Sequence, residues 1–270
     1  MVKRRQKSEY LIHSIANALD VLESFSPEER ELGVTELSNR LGLHKNNVFR
    51  ILATLELRGY IEQNKATGDY RLGLKTFELG QTFMRSTNLV QQARPVLHDL
   101  VKQCDETAYV GVLRGINVVY LDVVETSQSV RVASRLGAVI PACCTAIGKA
   151  ILASMPREEV ASRFSQRKMP VYTNRSITSR EAFFRELDQV AVEGYALDNE
   201  EYEDGVRCVG VPVRDHTQSV IAGLSISGPA YRLTDERLRK ELAPLIKKAG
   251  LELSKRLGYE IGVKLEGVKV

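Results

Sequence analysis

Residues 35–55, with the sequence TELSNRLGLHKNNVFRILATL, decide the fold of the N-terminal part of the chain. Thr35 is a good N-cap for a first helix, and Gly42 can adopt the positive φ of the tight turn that ends this helix. A second helix is predicted over about residues 45–58. Ser38 lies four residues before the glycine, where two closely crossing helices leave room only for a small side chain. This spacing predicts a helix-turn-helix of the kind that binds DNA.

The N-terminal end of the second helix carries polar residues that suit contacts with bases. These residues are His44, Lys45, Asn46, Asn47 and Arg50. In the major groove, asparagine can pair with adenine, and arginine or lysine with guanine. We therefore predict that Lys45, Asn46, Asn47 and Arg50 read double-stranded DNA. The alternative is a three-helix bundle that contacts another protein.

A hairpin is predicted directly after this helix, from residues 60–63 and 70–72. That is the position of the wing in a winged helix-turn-helix. Lys65 and Thr67 lie in the turn between the two strands and suit contacts with phosphates or with the minor groove.

Two further helices flank the motif. Apolar residues three and four apart predict a helix over residues 12–25, ended by Ser26 and Pro27. A second one, over about residues 74–84, follows the hairpin and has too few apolar residues to form a core of its own. It is interpreted as a connector, and its apolar side chains fit a dimer seam or a docking face equally well.

The composition excludes several classes of protein. The chain has 270 residues, of which 43% are hydrophobic and 27% charged, so it is not a mostly disordered chain. It has no apolar stretch long enough to span a membrane and no signal-peptide pattern. Its four cysteines form no CxxC pair, which is typical of thiols in a cytoplasmic protein.

Positive charge is concentrated near the N-terminus. Residues 1–7 carry four basic side chains and no acidic one, and residues 38–75 carry seven basic and three acidic ones. The whole chain has a net charge of only +4, so the remainder is acidic. This modest positive field suits a polyanion; the alternative, which charge alone favours, is an ordinary solvated surface.

The C-terminal part is predicted to be an α+β domain, an antiparallel sheet flanked by helices. Its predicted strands are 107–113, 118–124, 129–134, 206–214 and 220–227, and its predicted helices are 89–104, 144–155, 179–193 and 234–257. The domain boundaries are then 1–73 for DNA binding, 74–87 for a linker helix, and 88–270 for the C-terminal domain.

Two serines of the last predicted strand point to a binding site. Ser225 and Ser227 are two residues apart, so they share one face of the sheet, and buried hydroxyls need hydrogen-bond partners. On the partner strand Val206 and Cys208 also share a face, and Asp198 precedes them. A predicted helix begins at residues 145–148, and its free N–H groups can hold a carboxylate.

Together these groups predict a pocket for a small organic acid. The alternative is that both serines are ordinary strand residues facing solvent.

Motifs for catalysis or for a cofactor are not found. There is no GxSxG, P-loop, GxGxxG or HxxxH sequence, so we expect no enzyme activity, cofactor or metal. A nucleophilic Cys143 or Cys208 would need an activating base, and no motif supplies one. A metal or redox sensor built from Cys143, Cys144 and Cys208 remains an alternative if the fold gathers them.

Ordered motifs over nearly the whole chain resemble the IclR family of bacterial transcriptional regulators. In the first domain they are Ala18–Leu22, Gly42–Leu55, Arg58-Gly59-Tyr60 and Tyr70–Gly73; in the second they are Ala146–Ala153, Glu193-Gly194-Tyr195, Asp198–Glu201, Gly205–Val213 and Leu224–Pro229. The resemblance implies a winged-helix domain, a linker helix and a GAF-like effector domain. It also implies a homodimer or homotetramer that binds a pseudopalindromic operator.

The resemblance further implies an effector site for a small carboxylate or aromatic metabolite. Carried over by motif, the contacts are the backbone N–H groups of Ala146 and Ile147 and the residues Asp198, Val206, Cys208, Ser225 and Ser227. Ile147 is larger than the residue that some members have there. The segment Lys45-Asn46-Asn47 also departs from the common Lys-Ser-Thr, so the operator sequence does not carry over.

Overall fold

The structure is a computed structural model that describes residues 10–26, 29–86, 88–165 and 168–260. The basic side chains of residues 1–7 and the predicted helix end at Pro27 lie outside this part of the chain. The chain forms two compact units, Met1–Ser86 and Thr87–Val270. No helix among the described residues is long and apolar enough to cross a membrane.

The first unit is a winged helix-turn-helix, as predicted. Its elements are α1 (His13–Glu23), α2 (Val34–Leu41), α3 (Lys45–Leu57), β1 (Ile61–Gln63), β2 (Tyr70–Leu72) and α4 (Leu74–Ser86). Strands β1 and β2 pair antiparallel to form the wing. Buried apolar side chains from α1, α2, α3 and the wing form one small core: Val21, Leu32, Leu37, Val48, Leu52, Ile61 and Tyr70.

The turn between α2 and α3 depends on Ser38 and Gly42. Gly42 has φ +64°, a left-handed conformation that favours glycine. The buried Ser38 hydroxyl donates to the Leu43 carbonyl at 2.5 Å, and the Leu43 N–H donates back to the Ser38 carbonyl at 3.1 Å. A larger side chain at position 38 would therefore displace the turn.

The predicted N-cap of α2 is wrong. The helix begins at Val34, its N-cap is Gly33, and no side chain caps it. Leu32 forms two backbone hydrogen bonds with Tyr70 of the wing, 2.9 and 3.0 Å long. The chain is therefore extended up to Gly33 and enters the helix before Thr35.

The second unit contains a six-stranded antiparallel sheet with helices on both faces. Its elements are α5 (Asn88–Cys104), β3 (Thr107–Arg114), β4 (Asn117–Val124), β5 (Val139–Pro141), α6 (Ala146–Leu152), α7 (Arg157–Arg163), α8 (Arg180–Glu193), β6 (Ala196–Asn199), β7 (Val206–Arg214), β8 (Val220–Pro229), α9 (Asp235–Arg237) and α10 (Ala243–Arg256). The strand order is β5-β4-β3-β8-β7-β6.

The two faces of the sheet are covered by different helices. The backbone of Gly210 lies against Ala146 of α6, whereas Val211 lies against Gly250 of α10. Adjacent strand residues face opposite ways, so α6 and α10 cover opposite faces.

Some predicted elements of this unit differ in the structure. Residues 129–134 form no strand, and the edge strand is β5 instead. The hydroxyl of Tyr109 donates to the Ala133 carbonyl at 2.9 Å, so a side chain rather than a strand ladder holds this segment. The helix predicted over 144–155 is only α6, preceded by a 3₁₀ turn at Ala142–Cys144. Helix α7 was not predicted.

The charged terminal helix is interrupted by a π-helical stretch at Leu238–Leu242, between α9 and α10. Pro244 lies in the first turn of α10 and has no N–H to donate to the preceding turn, which favours the wider winding. Pro95, predicted to kink or restart a helix, lies inside α5.

Candidate functional site

The predicted base-reading residues lie at the exposed start of α3. Lys45, Asn46, Asn47 and Arg50 are exposed, whereas Val48 is buried in the core. Within the described part of the chain, no acidic side chain pairs with Lys45 or Arg50. The structure thus brings these four residues to one end of one helix with both cations free for phosphates or bases.

Phe49 is a candidate contact that the sequence analysis missed. It is 54% exposed and does not belong to the core of the first unit. An apolar side chain in that position can contact the methyl group of thymine. The sequence already indicated this exposure, because Phe49 does not follow the three- and four-residue spacing of the apolar side chains on the core face of α3.

The wing carries its two predicted contact residues at the exposed turn. Thr67 Oγ1 accepts a hydrogen bond from the Asp69 N–H at 3.2 Å, which holds the threonine in the turn. Lys65 is exposed and forms no ion pair with any described residue. The structure places neither one in the core of the unit.

An apolar groove of about 740 Å³ runs along the first unit. Its apolar lining includes Ile15 and Leu19 of α1, Leu55 of α3 and Leu79 of α4. Ile15, Leu19 and Leu79 are between 52% and 60% exposed. Asn47 and Arg50 also line this groove, so these two residues belong both to the predicted recognition helix and to an exposed apolar surface.

In the second unit, strand register assembles a row of polar side chains. Asp198 of β6 lies opposite Cys208 of β7, which lies opposite Ser227 of β8, which lies opposite Thr107 of β3. Directly paired residues point to the same face of a sheet, so these four side chains form one row. All four are buried.

The next row along the strands joins this site to α6. It contains Gly210, Ser225 and Tyr109, in register. A Cβ atom on Gly210 would lie 2.7 Å from the carbonyl carbon of Ala146, so only glycine allows the start of α6 to approach this closely. Neither Ser225 nor Ser227 faces solvent, since they are 2% and 5% exposed.

The remaining predicted residues complete this arrangement. The side chain of Thr145 accepts the Gly148 N–H, whereas the N–H groups of Ala146 and Ile147 have no acceptor among the described residues. Val206 lies two residues before Cys208 and is half-buried at the start of β7. Six of the seven predicted effector contacts are thus drawn together beside α6, with Val206 at the margin.

Burial controls the protonation of this site. It raises the pKa of Asp198 to about 7, and the negative charge of Glu201 adds to the rise. The Asp198 carboxylate accepts the Glu201 N–H at 2.9 Å. Burial also raises the pKa of Cys208 far above its usual range, with the Asp198 charge as a second cause. Cys208 is therefore a neutral thiol and not an activated nucleophile.

Lys149 is a buried charge that the sequence analysis missed. Its Nζ lies 2.8 Å from Glu186 Oε1 and 2.5 Å from Glu201 Oε1. Burial alone would lower its pKa, but these two carboxylates outweigh burial and raise it. A lysine within the small apolar residues of 146–153 was the available signal.

Arg135 also lies at this site without having been predicted. Its guanidinium stacks over the Tyr202 ring at 5.1 Å from the centroid, and it forms an ion pair with Glu203. The Tyr109 and Tyr120 rings are 5.3 Å apart in an edge-to-face arrangement on the same side of the sheet. Tyrosines and one arginine therefore extend the polar row.

Comparisons with known proteins identify the chain. The model of the IclR helix-turn-helix domain matches residues 14–65, and the model of the bacterial transcriptional regulator IclR C-terminal region matches residues 81–255. The chain belongs to the IclR family. This IclR-family protein is therefore a transcriptional regulator with a helix-turn-helix domain and a C-terminal effector-binding domain.

Known relatives are similar over nearly their whole length. The HTH-type transcriptional regulators XynR and KdgR of Escherichia coli K12 are each 38% identical to this IclR-family chain, over 92% of it and over 98% and 94% of their own lengths. The crystal structure of Thermotoga maritima IclR matches with a TM-score of 0.72 and 33% identity, over 92% of this chain and 99% of that one. Regulators of this type bind DNA and small effectors.

Among the residues that the structure describes, Cys143, Cys144 and Cys208 form no metal site. The sulfurs of Cys143 and Cys144 are 3.6 Å apart, and both side chains are buried. Cys208 instead lies in the sheet row between Asp198 and Ser227. The described residues include no group of three His, Cys, Asp or Glu side chains that could hold a metal.

Proposed function

We propose that this regulator binds a pseudopalindromic operator and that a small organic acid in the second unit sets its affinity for that operator. The buried row of Asp198, Cys208 and Ser227 beside the start of α6 carries this proposal. Buried hydroxyls and free N–H groups require partners, and a carboxylate supplies acceptors for all of them.

DNA recognition is assigned to α3 and the wing. Lys45, Asn46, Asn47 and Arg50 would contact base edges, and Lys65 and Thr67 would contact the backbone. The segments proposed to act separately are residues 1–73 for DNA binding, 74–87 for the link, and 88–270 for the effector.

The proposed assembly is a homodimer or homotetramer. The exposed apolar side chains of α1 and α4, such as Leu19 and Leu79, support a seam between two copies, because large exposed apolar patches mark interaction surfaces. A dimer places two recognition helices about 34–36 Å apart, one turn of DNA, which requires a pseudopalindromic site.

Besides being an acid, the effector is proposed to be small. Ile147 packs against Gly223, where a Cβ would lie 2.9 Å from Ile147 Cγ2, so this side chain fills space beside the row. The site therefore favours a compact acid over a bulky one.

Effector control requires a coupling between two binding events. A tenfold change in operator affinity corresponds to ~1.4 kcal/mol of coupling free energy. The effector can supply this only through different affinities for two arrangements of the protein.

The test is selection of bound duplexes from a random DNA pool at one stated salt concentration, since phosphate contacts make the affinity salt-dependent. We expect a pseudopalindrome to be enriched, and small organic acids to change its affinity. The double variant S225A/S227A should keep operator binding and lose the response to acids. A matched control is S162A, which removes an exposed hydroxyl of α7. Equal responses of the double variant and the wild type would contradict the proposed effector site.

A further inference from the structure

The effector site contains a carboxyl group of its own, so an acidic effector needs a cation. The Asp198 carboxyl, once ionised, would repel an anionic ligand across the buried row. Two cationic side chains, those of Lys149 and Arg135, lower the pKa of the Asp198 carboxyl and so partly offset the effect of burial. The identity of the counter-ion is therefore a choice between these two.

Lys149 is already neutralised. Its ammonium is fully buried between the carboxylates of Glu186 and Glu201, at 2.8 and 2.5 Å. Moving either carboxylate away would leave a buried charge without a partner, which is costly. Lys149 therefore holds the loop that positions Asp198 and has no capacity for a ligand.

Arg135 is held differently. Its side chain is 16% exposed, and the carboxylate with which it pairs among the described residues, that of Glu203, is 55% exposed. Because Glu203 is mostly hydrated, it loses little by leaving the pair, whereas the largely buried guanidinium then needs another carboxylate as its partner. The Tyr202 ring under the guanidinium would keep Arg135 in place when Glu203 leaves.

The backbone around Arg135 is hydrogen-bonded to Tyr109 and Tyr120, and the charge of Arg135 acts on the polar row. Its positive charge acts on the ionisable groups of Tyr109, Tyr120, Asp198 and Cys208, where it partly offsets the rise in pKa that burial causes. Its chain segment is tied to the same tyrosines, because Tyr109 donates to the Ala133 carbonyl and the Gly137 N–H donates to the Tyr120 carbonyl at 2.9 Å.

We propose that Arg135 is the counter-ion for the carboxylate of the effector, and that Glu203 occupies this guanidinium as an internal carboxylate until the effector replaces it. A guanidinium can bind a carboxylate through two parallel hydrogen bonds, which fixes the orientation of the acid as well as its charge. The inference rests on the proposed function, since it assumes an acidic effector in the same site.

The experiment measures the affinity of four acids by calorimetry at constant ionic strength: acetate, pyruvate, benzoate and 4-hydroxybenzoate. The neutral amides of the acids serve as uncharged probes. For the acid that binds the wild type best, we expect R135Q to weaken binding at least tenfold and E203Q to strengthen it at least threefold, because the internal competitor is gone. The matched control is R131Q, in the same segment, whose arginine pairs with Glu125 instead.

The outcomes separate this inference from the proposed function. If R135Q binds the acid as tightly as the wild type does, the role of Arg135 is overturned while the effector site stands. If R135Q fails to fold, E203Q decides, and an unchanged or weaker affinity of E203Q overturns the proposal. If a wild type that binds its operator takes none of the four acids, the carboxylate class is wrong, and this inference is overturned with it.

Discussion

The ammonium nitrogen of Lys149 lies 2.5 Å from Glu201 Oε1, and no part of the lysine side chain reaches solvent. Glu201 also donates its backbone N–H to the carboxylate of Asp198. The ion pair therefore holds the chain segment that presents Asp198 to the polar row. A charge buried for structural reasons is therefore linked through Glu201 to Asp198 of the proposed effector site.

Replacing Lys149 should strongly destabilise the second unit. K149M leaves Glu201 buried without its partner, and we expect a loss of about 3–5 kcal/mol in the free energy of unfolding. Urea denaturation followed by circular dichroism measures this loss. The control is K240M, which breaks an exposed pair with Glu236 and should cost at most ~1 kcal/mol. Equal stabilities of K149M and K240M would show that the buried pair does not support the fold.

The pH dependence of effector binding should follow Asp198, whose pKa is raised to about 7 by burial and then by the Glu201 charge. Between pH 6 and pH 8 the carboxyl ionises and repels an acidic ligand. We expect the affinity for the acid to fall about tenfold, equivalent to ~1.4 kcal/mol, and to fall much less in D198N. Calorimetric titrations at both pH values test this, and parallel profiles of the two proteins would refute it.

The same carboxyl links the stability of the protein to pH. Its pKa in the folded state lies above the value in an unfolded chain, so the folded state holds the proton more tightly. This contribution to stability is complete below pH ~4, the ordinary range of an aspartate, and is lost as the pH rises through 7. The unfolding free energy of D198N should therefore decline less between pH 6 and pH 8 than that of the wild type.

Two classes of DNA contact should respond differently to mutation. R50A, at the exposed start of α3, should cost about 1–3 kcal/mol and relax the choice of one base, because it removes a base contact. K65A on the wing should weaken all sequences alike and reduce the salt slope by about 1. Binding to the selected operator and to mismatched duplexes at several salt concentrations separates the two. K102A, which removes an exposed charge from α5, should change neither quantity.

Helix α4 is the proposed transmitter of the effector signal. This helix contains Phe77 and Phe83, which are 62% and 55% exposed. The double variant F77A/F83A should bind the operator and the acid with wild-type affinities but lose the effect of one on the other. Operator titrations with and without the acid measure this coupling. A coupling equal to that of the wild type would count against a role for α4.

Local patterns accounted for the first unit better than for the second. Ser38, Gly42 and the apolar period of α3 lie within a few residues of each other, so their consequences were visible in the sequence. The prediction of a strand over 129–134 was wrong because β-branched residues suit any extended segment, whether or not it pairs in a sheet. The strand that pairs with β4 at this edge is β5. The spacing of Ser225 and Ser227 predicted that both lie on one face of the sheet. Whether this face is buried or exposed to solvent became known only from the position of α6.

The buried charges were hidden for a related reason. Arg135 and Glu203 are 68 residues apart, and Lys149 and Glu201 are 52 apart. Neither pair has a periodic or short-range signature, since only the tertiary fold brings the two residues of each pair together.

The sequence by itself determined the family, the winged helix-turn-helix, the exposed cations of α3 and the residue types of the proposed effector site. Those properties arise from contacts over one or two helical turns and from ordered motifs along the chain. Only the tertiary structure decided that Asp198, Cys208, Ser227 and Thr107 form one row, and that Lys149 is buried between two carboxylates whereas Arg135 pairs with the exposed Glu203. Strand register joins residues more than a hundred positions apart, and the burial of each carboxylate depends on every layer packed around it.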